Sequence, residues 1–547
     1  MTMAAKEDST TLMAPLRNAT FRSIWLTTQV SSLGRLMQTV ALSWLMATIS
    51  TSDTLVALVQ ASSTLPAFLM AVFVGAIADN FSRRTIMIIG RSLMMTASAL
   101  LTVLMALGVT DPWIILGFSF LAGCGIALND PASQASIGDI VERRDLPSAV
   151  TLMSVGFNTI RSVGPALGGI VVASFGPLVT FGLTTLGLVP PLAALWRNNW
   201  KVRSSTLPRE SLATAIYDGL RFTAISWEIK ATIARGTLFG LASISILALL
   251  PLVARDQLKG GPIAYGILMG GFGAGALLAG LTNASLRRTL TQERLMVVAC
   301  LACAMCSFSV ALTSSLVIAT VSLAAAGAGW VTAWSGLSVN VQLASPRWIT
   351  GRTISIYSAF TYGGIAGGSW LWGAVAESHS LATALLWSSG TTLLVGALGL
   401  KLPISNRSNS ELEPLGEFVM PAIALDLKPR SGPILVTTEY SIPEQNVGLF
   451  IDLMRERRRA QSRVGARHWT LTRDIQEPSR WVEAFRTPTW TNYLRLNHRL
   501  TTADKQLAEK LQLLNRQENP PRTNILVERP TGAVRKSDPP IPVVPQR

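Results

Sequence analysis

Four charged side chains stand inside long apolar runs: Arg35, Arg91, Asp130 and Arg161. An ion in that setting is costly unless it faces a partner or a water-filled cavity, so each is a functional suspect. Arg35 and Arg161, with Gln38 and Asn158, form the candidate substrate-binding set. Two guanidinium groups facing one cleft would attract a carboxylate, catecholate or phosphate on an anionic small molecule. The competing reading is that they pair with Asp130 or with backbone carbonyls and only hold helices together. Proton coupling needs a group that binds and releases a proton as access alternates. Asp130 and Asp139 are the candidates, because His379 falls in a loop and the apolar runs hold no histidine. Cys300, Cys303 and Cys306 follow an i, i+3, i+6 spacing, but no His or carboxylate joins them, so they read as small apolar filling. No Gly-x-x-x-x-Gly-Lys loop occurs, and no cofactor or metal is expected.

The elements that must position these residues are membrane helices. Only 14% of the residues are charged, 49% are hydrophobic and the mean hydropathy is positive. A soluble domain carries about 25% charge, and single soluble cores stop growing near ~250–300 residues. Spans of about 20 apolar residues fall near 23–49, 54–78, 85–108, 112–130, 148–174, 177–196, 232–254, 262–282, 295–314, 316–343, 352–375 and 380–401. The even-to-odd connections carry most of the loop cations, among them Arg83, Arg84, Arg143, Arg144, Arg287 and Arg288. The other connections hold little beyond Arg255 and Lys259. This asymmetry predicts that both termini are cytoplasmic, in a multi-pass protein of the cell (inner) membrane. It also explains the net charge of +16 without a nucleic-acid partner.

The chain repeats itself. Gly75…Asp79…Arg83-Arg84 at the end of the second span matches Ala279…Asn283…Arg287-Arg288 at the end of the eighth. Gly164-Pro165-x-x-Gly168-Gly169 in the fifth recurs as Gly363-Gly364-x-x-Gly367-Gly368 in the eleventh, an offset of 199 residues. The expected organisation is a short N-terminal segment (1–21), a six-helix bundle (22–196), a cytoplasmic connector (197–230), a second six-helix bundle (231–402) and a linker (403–432). Parallel repeats of six helices place substrate at the midplane between the halves.

Gly75, Asp79, Arg83 and Arg84 resemble the signature loop of the major facilitator superfamily, which implies a gate made by a breakable charge pair. The family's usual arginine and glycine are Asn80 and Ser82 here. Gly164, Pro165, Gly168 and Gly169 resemble the motif of exporters in that superfamily; the usual upstream glycine is Ile160. Phe21-Arg22-x-x-Trp25, Gly34-Arg35-x-Met37-Gln38, Trp44-Leu45-Met46 and Asn158-x-x-Arg161 resemble its transmembrane secretion effector branch, which includes drug and siderophore exporters. The resemblance implies a proton-coupled antiporter, not an enzyme, that moves an amphipathic small molecule by alternating access. A transporter of lipid-like anions and a non-transporting membrane anchor are the alternatives.

Residues 433–530 read as strand, helix, two strands, two helices and a strand, the ferredoxin-like α+β order. Gly465-Ala466…Trp469…Trp481-x-Glu483-x-Phe485 resembles dimeric α+β barrel domains related to antibiotic-biosynthesis monooxygenases. Those relatives include small enzymes, so a monooxygenase-like activity is the alternative. Because the sequence offers His468 and His498 no ligand partner, and four strands leave a sheet face that a second copy could cover, the expected role is a cytoplasmic module for homodimerisation or regulation. The tail, 531–547, is rich in Pro and charge and reads as disordered.

Overall fold

The computed structural model describes residues 13–80, 82–142, 145–198, 200, 212–346, 349–403, 425, 427–515 and 521–528. The first helices are α1 (Ala19–Ile49), α2 (Asp53–Asn80), α3 (Arg83–Ala106) and α4 (Pro112–Ile140). Local chemistry sets their starts. Asn18 accepts from the Phe21 amide at 3.1 Å, Ser82 from Thr85 at 3.1 Å, and Asp111 from Trp113 at 2.8 Å. Each side chain satisfies an amide that the first helical turn leaves without a partner.

Leu146–Arg197 is continuous in hydrogen bonding, yet it breaks at Gly176, where φ is 78° and ψ 169°. A glycine suits that left-handed φ, and Pro177 then starts a new helix. The two arms are α5 (146–175) and α6 (177–197). Then follow α7 (Leu212–Ile225), α8 (Trp227–Gln257), α9 (Pro262–Thr289), α10 (Gln292–Leu312), α11 (Leu316–Leu343), α12 (Thr350–Ser378) and α13 (Leu381–Ala397). Nine of the described helices are long and apolar enough to cross a membrane by length and composition. The break at Gly176 makes one of them two. Adding α1 and α12, whose polar and small residues dilute their hydropathy, gives twelve crossings among the described residues. Helix α7 lies in the stretch read from sequence as a connector.

The two halves are built alike. Close packing places small residues where backbones meet. A Cβ on Gly164 would lie 3.0 Å from Leu36 Cβ and one on Gly168 2.9 Å from Met37 Cα, so α5 packs tightly on α1. In the second half, Gly364 and Gly368 meet the carbonyls of Thr237 and Leu241 on α8. By packing partner, Gly164 and Gly168 therefore correspond to Gly364 and Gly368. That offset is one residue more than the 199 read from the sequence. Cys303 donates to the Ala326 carbonyl at 3.7 Å and Cys300 packs against Gly396, so the cysteines fill the space between α10, α11 and α13.

A second compact unit contains the C-terminal domain. Its strands are β1 (Ile434–Ser441), β2 (Arg467–Arg473), β3 (Arg480–Thr487) and β4 (Arg522–Val527), in the order β2-β3-β1-β4. All neighbours are antiparallel. Helix α14 (Val447–Val464) crosses from β1 to β2; α15 (Trp490–His498) and α16 (Thr502–Leu514) cross from β3 to β4. This is the ferredoxin-like order. Helix α14 ends on Gly465 at φ 116°, and α16 starts on a capping box of Thr501 and Asp504. Within this unit Arg221, on α7, donates to the Ala466 carbonyl at 2.8 Å, and Arg467 lies over the Tyr217 ring at 5.2 Å.

Candidate functional site

Helix α1 carries a polar stripe: Thr28, Ser31, Ser32, Arg35 and Gln38 recur every three or four residues and share one face. That face, with parts of α3, α4, α5 and α6, lines a cavity of about 470 Å³. The volume falls in the range of drug-sized ligand sites. Met94, Ile126, Val150, Met153, Phe157 and Leu188 supply apolar wall, so the cavity is amphipathic.

Its charges form one cluster. Arg35 Nη1 lies 3.7 Å from Asp130 Oδ2, with side chains 28% and 47% exposed. Arg91, 2% exposed, donates to Thr28 Oγ1 at 2.9 Å, Asn129 Oδ1 at 3.1 Å and Ser31 Oγ at 3.4 Å. Asn129 in turn donates to Asp130 Oδ1 at 3.1 Å. The guanidinium of Arg91 thus pins α1, α3 and α4 together through neutral oxygens. Two cations face one carboxylate, leaving a net positive wall that can accept an anionic or electron-rich group.

The sequence set divides under this geometry. Arg35, Gln38 and Asp130 line the cavity. Arg161 is not among the lining residues; it lies over the Phe272 ring of α9, 6.0 Å from the centroid. The basic partner of Arg35 in the cavity is Arg91 instead. Asp139 also lies away from the lining. Arg83 Nη1 binds its Oδ2 at 2.9 Å, tying α3 to α4. Arg84 donates to the carbonyls of Leu195 and Trp196, at 2.8 and 2.9 Å, and so caps the C-terminus of α6. In the second half Arg287 donates to Ser335 Oγ at 2.8 Å, while Asn283 bonds Ser335 and Thr332. Gly75, Asp79 and Asn158 lie outside the residues whose side chains are described. Sequence reading missed Thr28, Asn129, Ser133 and Gln134 as lining residues; the available signal was the three-to-four spacing of polar residues, in α1 for Thr28 and at Asn129 and Ser133 in α4.

Because Asp139 is only 8% exposed, removing its cation should hurt more than neutralising it. Arg83→Ala is expected to cost about 1–3 kcal/mol, the price of leaving a charged group unsatisfied. Asp139→Asn should cost less than half as much. Thermal unfolding of the two purified variants side by side checks the order.

The halves meet at the end where α1 joins α2, α8 joins α9 and α12 joins α13. A Cβ on Gly169 would lie 2.7 Å from Gly266 Cα and 2.7 Å from the Pro262 carbonyl. Trp44 stacks on Tyr265 with centroids 6.4 Å apart. Arg255 donates to the Ala47 carbonyl. Glu377, from α12, accepts from Ser52 Oγ at 2.9 Å and from the Thr54 amide at 3.2 Å, capping α2 across the halves. By helix count this end is opposite the basic connections. The cavity runs the other way, to Gln134 and Ile137 near the end of α4 and to Val150 near the start of α5.

Twelve crossings among the described residues, in two like halves that close against each other at one end, with an amphipathic cavity lined by the first half and running toward the other end, define a membrane transporter of the major facilitator fold. Residues 10–531 match the family described as transmembrane secretion effector, and the chain belongs to that family. It is similar to the multidrug efflux pump Tap of Mycolicibacterium fortuitum, 23% identical over 66% of this chain and 91% of that protein. It is also similar to the enterobactin exporter EntS of Escherichia coli O1:K1, 24% identical over 62% of this chain and 81% of that protein. Among solved structures, a D-xylose-proton symporter superposes with a TM-score of 0.55 at 14% identity, covering 70% of this chain and 97% of that one. The last likeness speaks for the fold.

Proposed function

We propose that this chain exports an amphipathic small molecule of the drug or siderophore kind by alternating access, with both termini cytoplasmic. The carrying observation is the cavity itself. It is drug-sized, holds the Arg35–Asp130 pair, and extends toward the basic connections while Gly169, Trp44, Arg255 and Glu377 hold the opposite end shut. Basic connections facing the cytoplasm make this the inward-facing arrangement. The similarity to exporters and the Gly164-Pro165-x-x-Gly168-Gly169 motif support the outward direction.

Proton antiport requires that cargo and proton exclude each other. Asp130 meets that requirement when the cargo presents a cation or a donor to it, because cargo and proton then compete for one carboxylate. An anionic group held on Arg35 alone leaves the carboxylate open and sets up no such competition. Antiport therefore selects a cargo whose acceptor faces Arg35 and whose donor or cation faces Asp130.

Everted membrane vesicles energised by an imposed pH gradient test the reading. Uptake of a cationic dye is expected to collapse when the gradient is dissipated and to fall at least ~10-fold in Asp130→Asn. That fold-change corresponds to about 1.4 kcal/mol. Gradient-independent uptake, or full activity of Asp130→Asn, would contradict proton exchange at this carboxylate.

A further inference from the structure

Helix α1 packs on α5 along a seam with a polar middle. Toward the closed end, Gly164 and Gly168 of α5 take Leu36 and Met37 of α1. Toward the other end, Trp25 Nε1 donates to the Leu152 carbonyl at 3.3 Å. Between these contacts the carboxamide of Gln29 rests on Gly156. A Cβ on Gly156 would lie 2.8 Å from Gln29 Cδ and 2.9 Å from its Oε1, so any larger residue would push the amide group off this seat. The tip of a flexible side chain, not backbone, is what would have to yield.

Gln29 stands on the flank of the polar stripe of α1, about 100° round from Thr28. It lines the membrane cavity nonetheless, together with Met153 and Phe157, which flank Gly156 on α5. A side-chain amide in a contact between membrane helices ordinarily bonds across it and holds the helices together. Gln29 makes no hydrogen bond among the described residues. It is half-buried, and neither its nitrogen nor its oxygen is sealed from the cavity. Its neighbours on α1 are engaged: Thr28 and Ser31 accept from Arg91, Arg35 faces Asp130, and Gln38 accepts from Ser98 at 3.5 Å.

Along α1, Gln29 precedes Arg35 by six residues, a rise of ~9 Å. That displacement is toward the end to which the cavity runs. The carboxamide offers both donors and an acceptor, which suit the two edges of a neutral amide.

We propose that Gln29 is a specificity-determining residue: a second point of attachment on α1 that hydrogen-bonds an uncharged amide in an elongated cargo. Gly156 is its positioning residue. The inference rests on the exporter reading above and adds the form of the cargo to it. A charged head lies at the Arg35–Asp130 pair, an amide lies partway along an arm, and an apolar body lies against Met153 and Phe157.

The test titrates the full chain in lipid nanodiscs with two fluorescent probes that share an amino-acid head and a naphthalene body. One is Nε-naphthoyl-lysine; the other is its all-carbon analogue, with two methylenes in place of the amide. Gln29→Met is expected to weaken binding of the amide probe about fivefold, the size of one neutral hydrogen bond, and to change the all-carbon probe less than twofold. Gln29→Ala, which empties the seat rather than refilling it, should give the same split. Gly156→Ala should weaken the amide probe alone and add nothing in the Gln29→Met background, as expected of a residue that acts through another. Arg35→Ala should weaken both probes alike, because they share the head. Equal effects of Gln29→Met and Gln29→Ala on the two probes, or no effect on either, would overturn the assignment while leaving the exporter reading intact. Wild-type protein that binds neither probe would contradict the reading of the cavity as a cargo site, and this inference would fall with it.

Discussion

Gly169→Val abolishes export while leaving the protein folded in the membrane; Gly168→Val instead lowers the amount of folded protein. Adjacent residues on a helix point about 100° apart, so these two glycines meet different neighbours. The Cβ direction of Gly168 runs into Met37 within the first half, a contact needed in every state. That of Gly169 runs into Gly266 and the Pro262 carbonyl of the second half, a contact made only when this end is closed. Overpacking costs about 1–3 kcal/mol. Charged to one of two interconverting states, it shifts their ratio roughly 5–150-fold, since 1.4 kcal/mol is a factor of ten. Charged to the fold, it reduces stability in all states alike. Export rate per folded molecule, with thiol accessibility of a cysteine placed at Ser52, separates the outcomes. Raised accessibility is expected for Gly169→Val alone.

Arg35→Ala cuts transport at least ~10-fold, again about 1.4 kcal/mol, without a change in thermal stability. Its guanidinium is 28% exposed and its partner Asp130 47% exposed, so water replaces what the pair loses. Arg35→Lys keeps the charge but loses the planar fork, and should recover only part of the activity for cargo held through two oxygens. Arg91 behaves differently. It is 2% exposed and bonded to neutral oxygens, a placement that stability alone does not favour. Arg91→Met is expected to unfold no more than a few degrees from wild type and yet to transport poorly. Loss of folded Arg91→Met protein would assign that side chain to helix packing.

The order of elements was open to sequence reading because it rests on local signals. Capping residues at Asn18, Ser82 and Asp111, the Gly176-Pro177 break and the apolar spans between them mark the membrane helices. Alternating strands separated by turn residues mark the C-terminal domain. The repeat was legible too, but its register was not. Gly363-Gly364-x-x-Gly367-Gly368 contains two overlapping small-residue frames, and only the neighbours on α8 choose Gly364 and Gly368. Helix azimuth was equally hidden. Nothing along the chain tells that Arg161 turns toward Phe272 while Arg91, on another helix, turns to the cavity. The amphipathic helix α7 was lost among the charges of its connector. Gln461 and Glu483 look like surface positions in a polar segment, and only the pairing of β3 with β1 and the seat of α14 show them to be interior.

The most direct measurement joins Ser52 of the first half to Glu377 of the second. Their side chains meet at 2.9 Å at the closed end, and alternating access requires them to part in every cycle. With both replaced by cysteine and bridged by a short cleavable bis-methanethiosulfonate, export from cells should stop and should return when the bridge is reduced. Each protein carrying only one of the two substitutions, treated alike, should export as before. Bridged protein that exports at the unbridged rate would contradict the proposal that these halves separate to release cargo.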